Sequence, residues 1–173
     1  DCYIPNKFPG VKTAEYEFFQ IGEWLCNKSI YGFILETMNN LVETKICLDV
    51  ISKFNLPIWV SYYLSDANHI CSGESLESAI LLVEKYPVEY LLINCNPLDI
   101  TKGAVNIIAK KWHGKWGIYP NLGVGDPDPN GIIDVIHTND ELLYTVELAL
   151  DLGASIIGTC CGSRPEHIAL LKN

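Results

Sequence analysis

Apolar positions along this chain alternate between two spacings. Over residues 13–25, Phe18, Ile21, Trp24 and Leu25 recur at the three- and four-residue intervals of one helical face, and similar patterns predict helices over 41–54, 76–86, 98–112 and 139–152. Between them lie short continuous apolar runs at 31–37, 58–63, 88–93, 116–119 and 154–157, each read as a strand. Strands of a few residues alternating with longer helices predict a parallel sheet with crossover helices, and strands apolar on both faces, such as Tyr90-Leu91-Leu92-Ile93, predict burial on both sides. A polar loop is expected over 65–74, and a loop rich in Gly, Pro and Asp over 120–134.

The polar residues fall where the predicted strands end. Glu36, Asn94 with Cys95, Asn121, and Cys160 with Cys161 all occupy C-terminal strand ends. An α/β barrel gathers its chemistry on that rim, whereas an open doubly wound sheet uses it only near a switch point. Five consecutive strands contributing there favour the barrel.

Composition narrows the function. The chain has 173 residues and 49% hydrophobic content, which suits one globular domain over 1–173. Its net charge of −9, from 12 basic and 21 acidic residues with no basic cluster, excludes nucleic acid and anionic membrane as natural partners. There is no apolar run of about 18 residues and no signal-peptide pattern at the first residues, so a cytoplasmic location is expected. Seven scattered cysteines predict reduced thiols rather than a disulfide framework.

Two of those thiols are adjacent, in Gly158-Thr159-Cys160-Cys161-Gly162. Neighbouring side chains on a strand point to opposite faces, so these two converge only where the strand has ended; Gly158 and Gly162 are expected to supply the backbone freedom. Ser163 is the expected N-cap of the last helix, with Pro165 in its first turn and Glu166 completing a capping box. Cys95 ends an earlier strand on the same rim, so three thiolates can meet there. Zinc suits thiolates, and three protein ligands with an open position are the pattern of a catalytic site. Three thiolates neutralise the ion, so such a centre is a poor source of hydroxide and suits instead alkyl transfer to a metal-bound thiolate.

The segments Ile93-Asn94-Cys95, Tyr119-Pro120-Asn121 with Gly123, and Gly158 to Ile168 resemble the homocysteine S-methyltransferase family, in order and over essentially the whole chain. The resemblance implies a (β/α)8 TIM-barrel type fold in which Cys95, Cys160 and Cys161 bind Zn2+ and homocysteine takes the fourth position. A methyl group then arrives from S-methylmethionine, betaine or methylfolate to form methionine, and the sequence leaves the donor open. Glu36, in Leu35-Glu36-Thr37, matches the family acid that holds the substrate amino group, and Asn94 takes a supporting place in substrate binding. Thr159 stands where a second glycine is more usual.

By the same resemblance the chain begins after the third barrel strand. It is expected to be an incomplete barrel, about strands 4 to 8, lacking the N-terminal strands and their glycine-rich loop, and so the C-terminal part of a longer protein or a half-barrel needing an oligomer or a complementing N-terminal half. The competing expectation is a noncatalytic zinc-thiolate remnant that binds a partner through open sheet edges.

Other residues draw plainer readings. Cys2, Cys26, Cys47 and Cys71 are core or surface thiols; His69, His113 and His137 lie in loops or at helix ends; His167 packs or hydrogen-bonds in the first turn of the last helix. Tyr62 and Tyr63 alternate across a strand, one facing the barrel and the other the helices. Gly123-Val124-Gly125 is followed by Asp126-Pro127 rather than a helix, so no phosphate cradle is expected, and Asn121 borders the thiol pocket.

Overall fold

The structure, a computed structural model, describes residues 3–125, 128 and 130–172. Cys2, Asp126 and Pro127 lie outside the described residues. Helix α1 (Val11–Cys26) leads to strand β1 (Phe33–Met38), α2 (Leu41–Ile51), β2 (Ile58–Tyr62) and a short hairpin of β3 (Leu64–Asp66) and β4 (His69–Ile70). Then follow α3 (Leu76–Val83), β5 (Val88–Asn94), α4 (Leu98–Lys111), β6 (Lys115–Tyr119), α5 (Asn139–Asp151), β7 (Ile156–Ile157) and α6 (Pro165–Leu170).

The main sheet is parallel, with order β1-β2-β5-β6-β7. Its strands follow chain order without reversal, and α1 to α4 each pack against the next helix in sequence. Right-handed crossovers repeated in one direction place every helix on the same face; a doubly wound sheet reverses its order and covers both. Rows of side chains show the asymmetry. On the helix side, Leu35, Val60, Leu91 and Trp116 stand in register and are all buried, as is the next row through Tyr62, Ile93 and Ile118. On the other side, Ile34, Trp59, Tyr90 and Lys115 form a row that no helix covers, and Ile34 is 48% exposed. Trp59 and Tyr90 stack there with ring centroids 4.7 Å apart.

Local chemistry places the helices. Asn40, Ser75 and Thr138 accept hydrogen bonds at the starts of α2, α3 and α5, and Glu141 completes a capping box with Thr138. Three expectations need correction. The loop over 65–74 contains the β3–β4 hairpin, whose turn is held by Asp66 accepting from the backbone of Asn68 and His69. The expected apolar face of α1 is largely at the surface, with Trp24 63% exposed, because α1 flanks the edge strand β1; of the four residues Phe18 packs against the core. The strand expected over 154–157 pairs only at Ile156 and Ile157 and is half-buried, since β7 is the opposite edge.

Candidate metal centre

Three backbone hydrogen bonds bring the strand ends together. Cys95 donates from its N–H to the carbonyl of Tyr119 at 3.0 Å, Cys160 to that of Pro120 at 2.8 Å, and Leu122 to that of Cys161 at 2.8 Å. The segments following β5, β6 and β7 are thus stitched side by side. Cys95 has a positive φ of 58°. A non-glycine residue rarely adopts this conformation, and such strain gathers at functional sites. Gly162 is also left-handed, at φ 73°, and a Cβ there would lie 2.7 Å from the backbone nitrogen of Gly123. Gly158 serves space rather than conformation: its added Cβ would meet the Cβ of Tyr119 at 3.1 Å.

The last helix starts one residue later than expected. Arg164 is the N-cap and Pro165 the first residue, and His167, not Glu166, closes the first turn by accepting from the Arg164 N–H at 2.8 Å. His167 is buried. Ser163 turns back and donates to the carbonyl of Cys160 at 2.5 Å, bracing the thiol turn.

The result is a cluster of three sulfurs. Cys95, Cys160 and Cys161 have their Sγ atoms all within 4.8 Å of one another, with 3.3 Å between Cys95 and Cys161 and 4.0 Å between Cys160 and Cys161. Cys95 is buried, Cys160 half-buried and Cys161 exposed. Hydrogen bonding from Cys160, with further help from Tyr3 and Cys161, lowers the Cys95 thiol to about 5 against the desolvation that opposes it. Sharing that bond holds Cys160 above the ordinary thiol value, and burial followed by Cys95 does the same to Cys161. One negative charge is therefore tolerated among the three, and full ionisation calls for a cation. A thiophilic metal ion could be held by these three side chains. The other described cysteines lack such company: Cys47 sits in the core with its thiol pushed up to about 12 by burial, and Cys71 approaches the carbonyl of Tyr3 at 3.9 Å.

Cys95 and Cys161 open onto a pocket of about 330 Å³ lined also by Tyr3, Tyr63, Asn121, Gly125 and Ile133. Tyr3 and Tyr63 meet edge to face at 4.8 Å. Tyr62, by contrast, is wholly buried on the helix side.

Glu36 does not line this pocket. It is exposed on the uncovered face of β1, in a cleft with Phe18, Ile21 and Glu43. Tyr119 connects the two regions: Glu36 and Cys160 both lie close enough to its phenol to help raise its ionisation, although burial is the main cause. Glu36 is on β1 and Tyr119 on β6, which are not neighbours in the sheet, so their approach requires that the sheet curve around its uncovered face.

Asn94 is committed to the scaffold. Its Oδ1 accepts from the Thr37 N–H at 3.2 Å and from the Ser61 hydroxyl at 2.6 Å, while its Nδ2 donates to the Thr37 hydroxyl at 2.8 Å. Thr37 has φ 58°, and the β1–β2 register shifts between Leu35 and Met38. The N–H displaced by this irregularity finds its partner in Asn94. Asn96 acts at the end of β2, donating to the carbonyl of Tyr62 at 3.4 Å and accepting from the N–H of Leu64, the first residue of β3, at 2.7 Å. The two asparagines around Cys95 therefore anchor its turn to β1 and β2. Asn96, Tyr3 and Tyr119 carry no site role in the sequence pattern, although Tyr119 belongs to a segment that bears the resemblance; for Asn96 the Asn-Cys-Asn triplet at a strand end is an available cue.

Comparison with known proteins agrees with this geometry. The profile of the Homocysteine S-methyltransferase family matches residues 11–173. Homocysteine S-methyltransferase 2 of Arabidopsis thaliana is 30% identical over 138 residues, covering 77% of this chain and 41% of the relative. Homocysteine S-methyltransferase of Escherichia coli (strain K12) is 29% identical over 145 residues, covering 79% and 45%. The metallated form of the homocysteine methyltransferase MmuM from Escherichia coli superposes with a TM-score of 0.82 at 25% identity, over 99% of this chain and 54% of that one. The chain thus spans about half or less of the length of these relatives. With a family profile matched from α1 to the last residue and a thiol cluster built from three strand ends, the chain belongs to the homocysteine S-methyltransferase family.

Proposed function

We propose that this chain carries the zinc-binding part of an enzyme that moves a methyl group from a small donor to the thiol of homocysteine, forming methionine. The observation that carries the proposal is the convergence of Cys95, Cys160 and Cys161. Zinc–sulfur bonds of about 2.3 Å in a tetrahedron set sulfurs roughly 3.8 Å apart, close to the separations in this cluster. Bound there, Zn2+ would supply a Lewis-acid position that lowers the pKa of an incoming thiol and holds its thiolate.

The remaining residues act around that position. Glu36 holds the substrate ammonium, Asn94 supports the site by fixing Thr37 beside Glu36, and the Tyr3–Tyr63 pocket admits the donor, whether S-methylmethionine, betaine or methylfolate. The substrate sulfur attacks the donor methyl in line, and the electron pair of the broken bond leaves with the donor. The fold that suits this reading is a (β/α)8 TIM-barrel type domain over 1–173, incomplete and comprising about strands 4 to 8. Singly wound order, one uncovered apolar face and two open edges support it. No helix among the described residues is long and apolar enough to cross a membrane, and the reduced thiols fit a cytoplasmic protein. The open edges also suit the second reading, a noncatalytic zinc-thiolate half-barrel completed by a partner, an oligomer or an N-terminal half.

Addition of L-homocysteine to the zinc-loaded chain separates the two. Methyl transfer chemistry predicts release of a proton and a fourth zinc–sulfur contact in X-ray absorption; neither change would appear in a noncatalytic remnant. Cys160→Ala is expected to lose the metal, and a full equivalent of zinc in that variant would overturn the ligand assignment.

A further inference from the structure

Tyr119 ends β6 on the uncovered face of the sheet, in register with Asn94 and with its Cβ against Gly158. Its hydroxyl oxygen is buried and has no hydrogen-bond partner among the described residues. An orphaned buried hydroxyl has given up its water without gaining a partner, and native structures keep few of them. The polar groups that act on it are Ser61, whose own hydroxyl is donated to Asn94, Glu36 and Cys160. The Glu36 carboxylate is exposed and forms no ion pair among the described residues. Of these groups it is the charged acceptor, a stronger partner for the phenol than a neutral hydroxyl oxygen.

We propose that Tyr119 is a positioning residue for substrate binding: its hydroxyl donates to the Glu36 carboxylate and aims it along the concave face toward the thiol cluster, where a substrate ammonium must lie when its sulfur is at the metal. This rests on the functional reading above and adds to it a residue on a strand that is not adjacent to β1. An acid at the open end of a long side chain has many rotamers. A fixed donor across the lumen selects the one that faces the site, and the hydroxyl gains its missing partner in the same step. Such bonds are often long in a free enzyme and tighten with substrate.

The experiment compares two thiols on the zinc-loaded chain by calorimetry: L-homocysteine, and 4-sulfanylbutanoate, which lacks only the amino group. Tyr119→Phe is expected to weaken homocysteine roughly tenfold, in the range of a hydrogen bond to a charged group, to leave 4-sulfanylbutanoate unchanged, and to keep full zinc. In a Glu36→Gln background the same substitution should have no further effect. Because the hydroxyl removed has no partner, the melting temperature should hold or rise, which guards against loss of fold. Unchanged homocysteine affinity, or equal weakening of both thiols, would overturn the proposal while leaving the metal-centred function standing. If the unmodified protein bound neither thiol, the functional reading would fall and this inference with it.

Discussion

Asn94 shows how much one buried side chain can carry. It satisfies the displaced Thr37 N–H, the Thr37 hydroxyl and the Ser61 hydroxyl, and it is the residue next to Cys95. Asn94→Ala leaves two or more buried polar groups unpaired, each worth about 1–3 kcal/mol, so a loss of roughly 2–4 kcal/mol is expected, read by urea denaturation. Glu36→Gln, on an exposed side chain, should stay within about 0.5 kcal/mol of the parent. Equal stability of the two variants would show that Asn94 does not anchor the strand end. The thiols were legible in the sequence because each lies within a few residues of the end of an apolar strand, and strand ends of a parallel sheet share a rim. The Glu36–Tyr119 relation was not, because it depends on curvature between strands that do not touch.

At the scale of elements, the turn from β7 to α6 is set by its approach to the segment after β6. Gly162 combines a left-handed φ with backbone 2.7 Å from a would-be Cβ, whereas Gly153, also left-handed at φ 99°, has nothing within 4 Å. Gly153→Ala is expected to cost about 1 kcal/mol from conformation alone. Gly162→Ala must also push two backbones apart, so it should cost more and lower zinc affinity, which Gly153→Ala should not. Thermal melts with competitive chelator titrations check both; equal effects would mean that the loops are free to separate. Periodicity placed the helices well because caps such as Thr138 with Glu141 are written locally. It misplaced the start of α6 by one residue because Ser163 spends its hydroxyl on the carbonyl of Cys160 three residues back, closing the thiol turn, and so does not cap the helix.

For the whole molecule, the uncovered face and the two edges dominate. Ile34 is 48% exposed beside the unpaired edge of β1, and α1 shows Trp24 and Ile21 to solvent. Edges of this kind invite pairing with other chains. The isolated chain is therefore expected to self-associate as concentration rises, and Ile34→Lys should weaken that association without changing zinc content. Sedimentation velocity over a range of concentrations measures both, and a chain that stays monomeric throughout would contradict the expectation.

The stitching of the segments after β5, β6 and β7 also sets an order of events. Cys95 is synthesised long before Cys160 and Cys161, and its turn can be anchored early by Asn94 and Asn96. Until the last strand docks and Gly162 slides under Gly123, however, the early thiol has no companions. On the proposed zinc reading, metal capture would be the final act of folding, and the ion would work as a clasp that closes only on a chain whose last strand has already found its place.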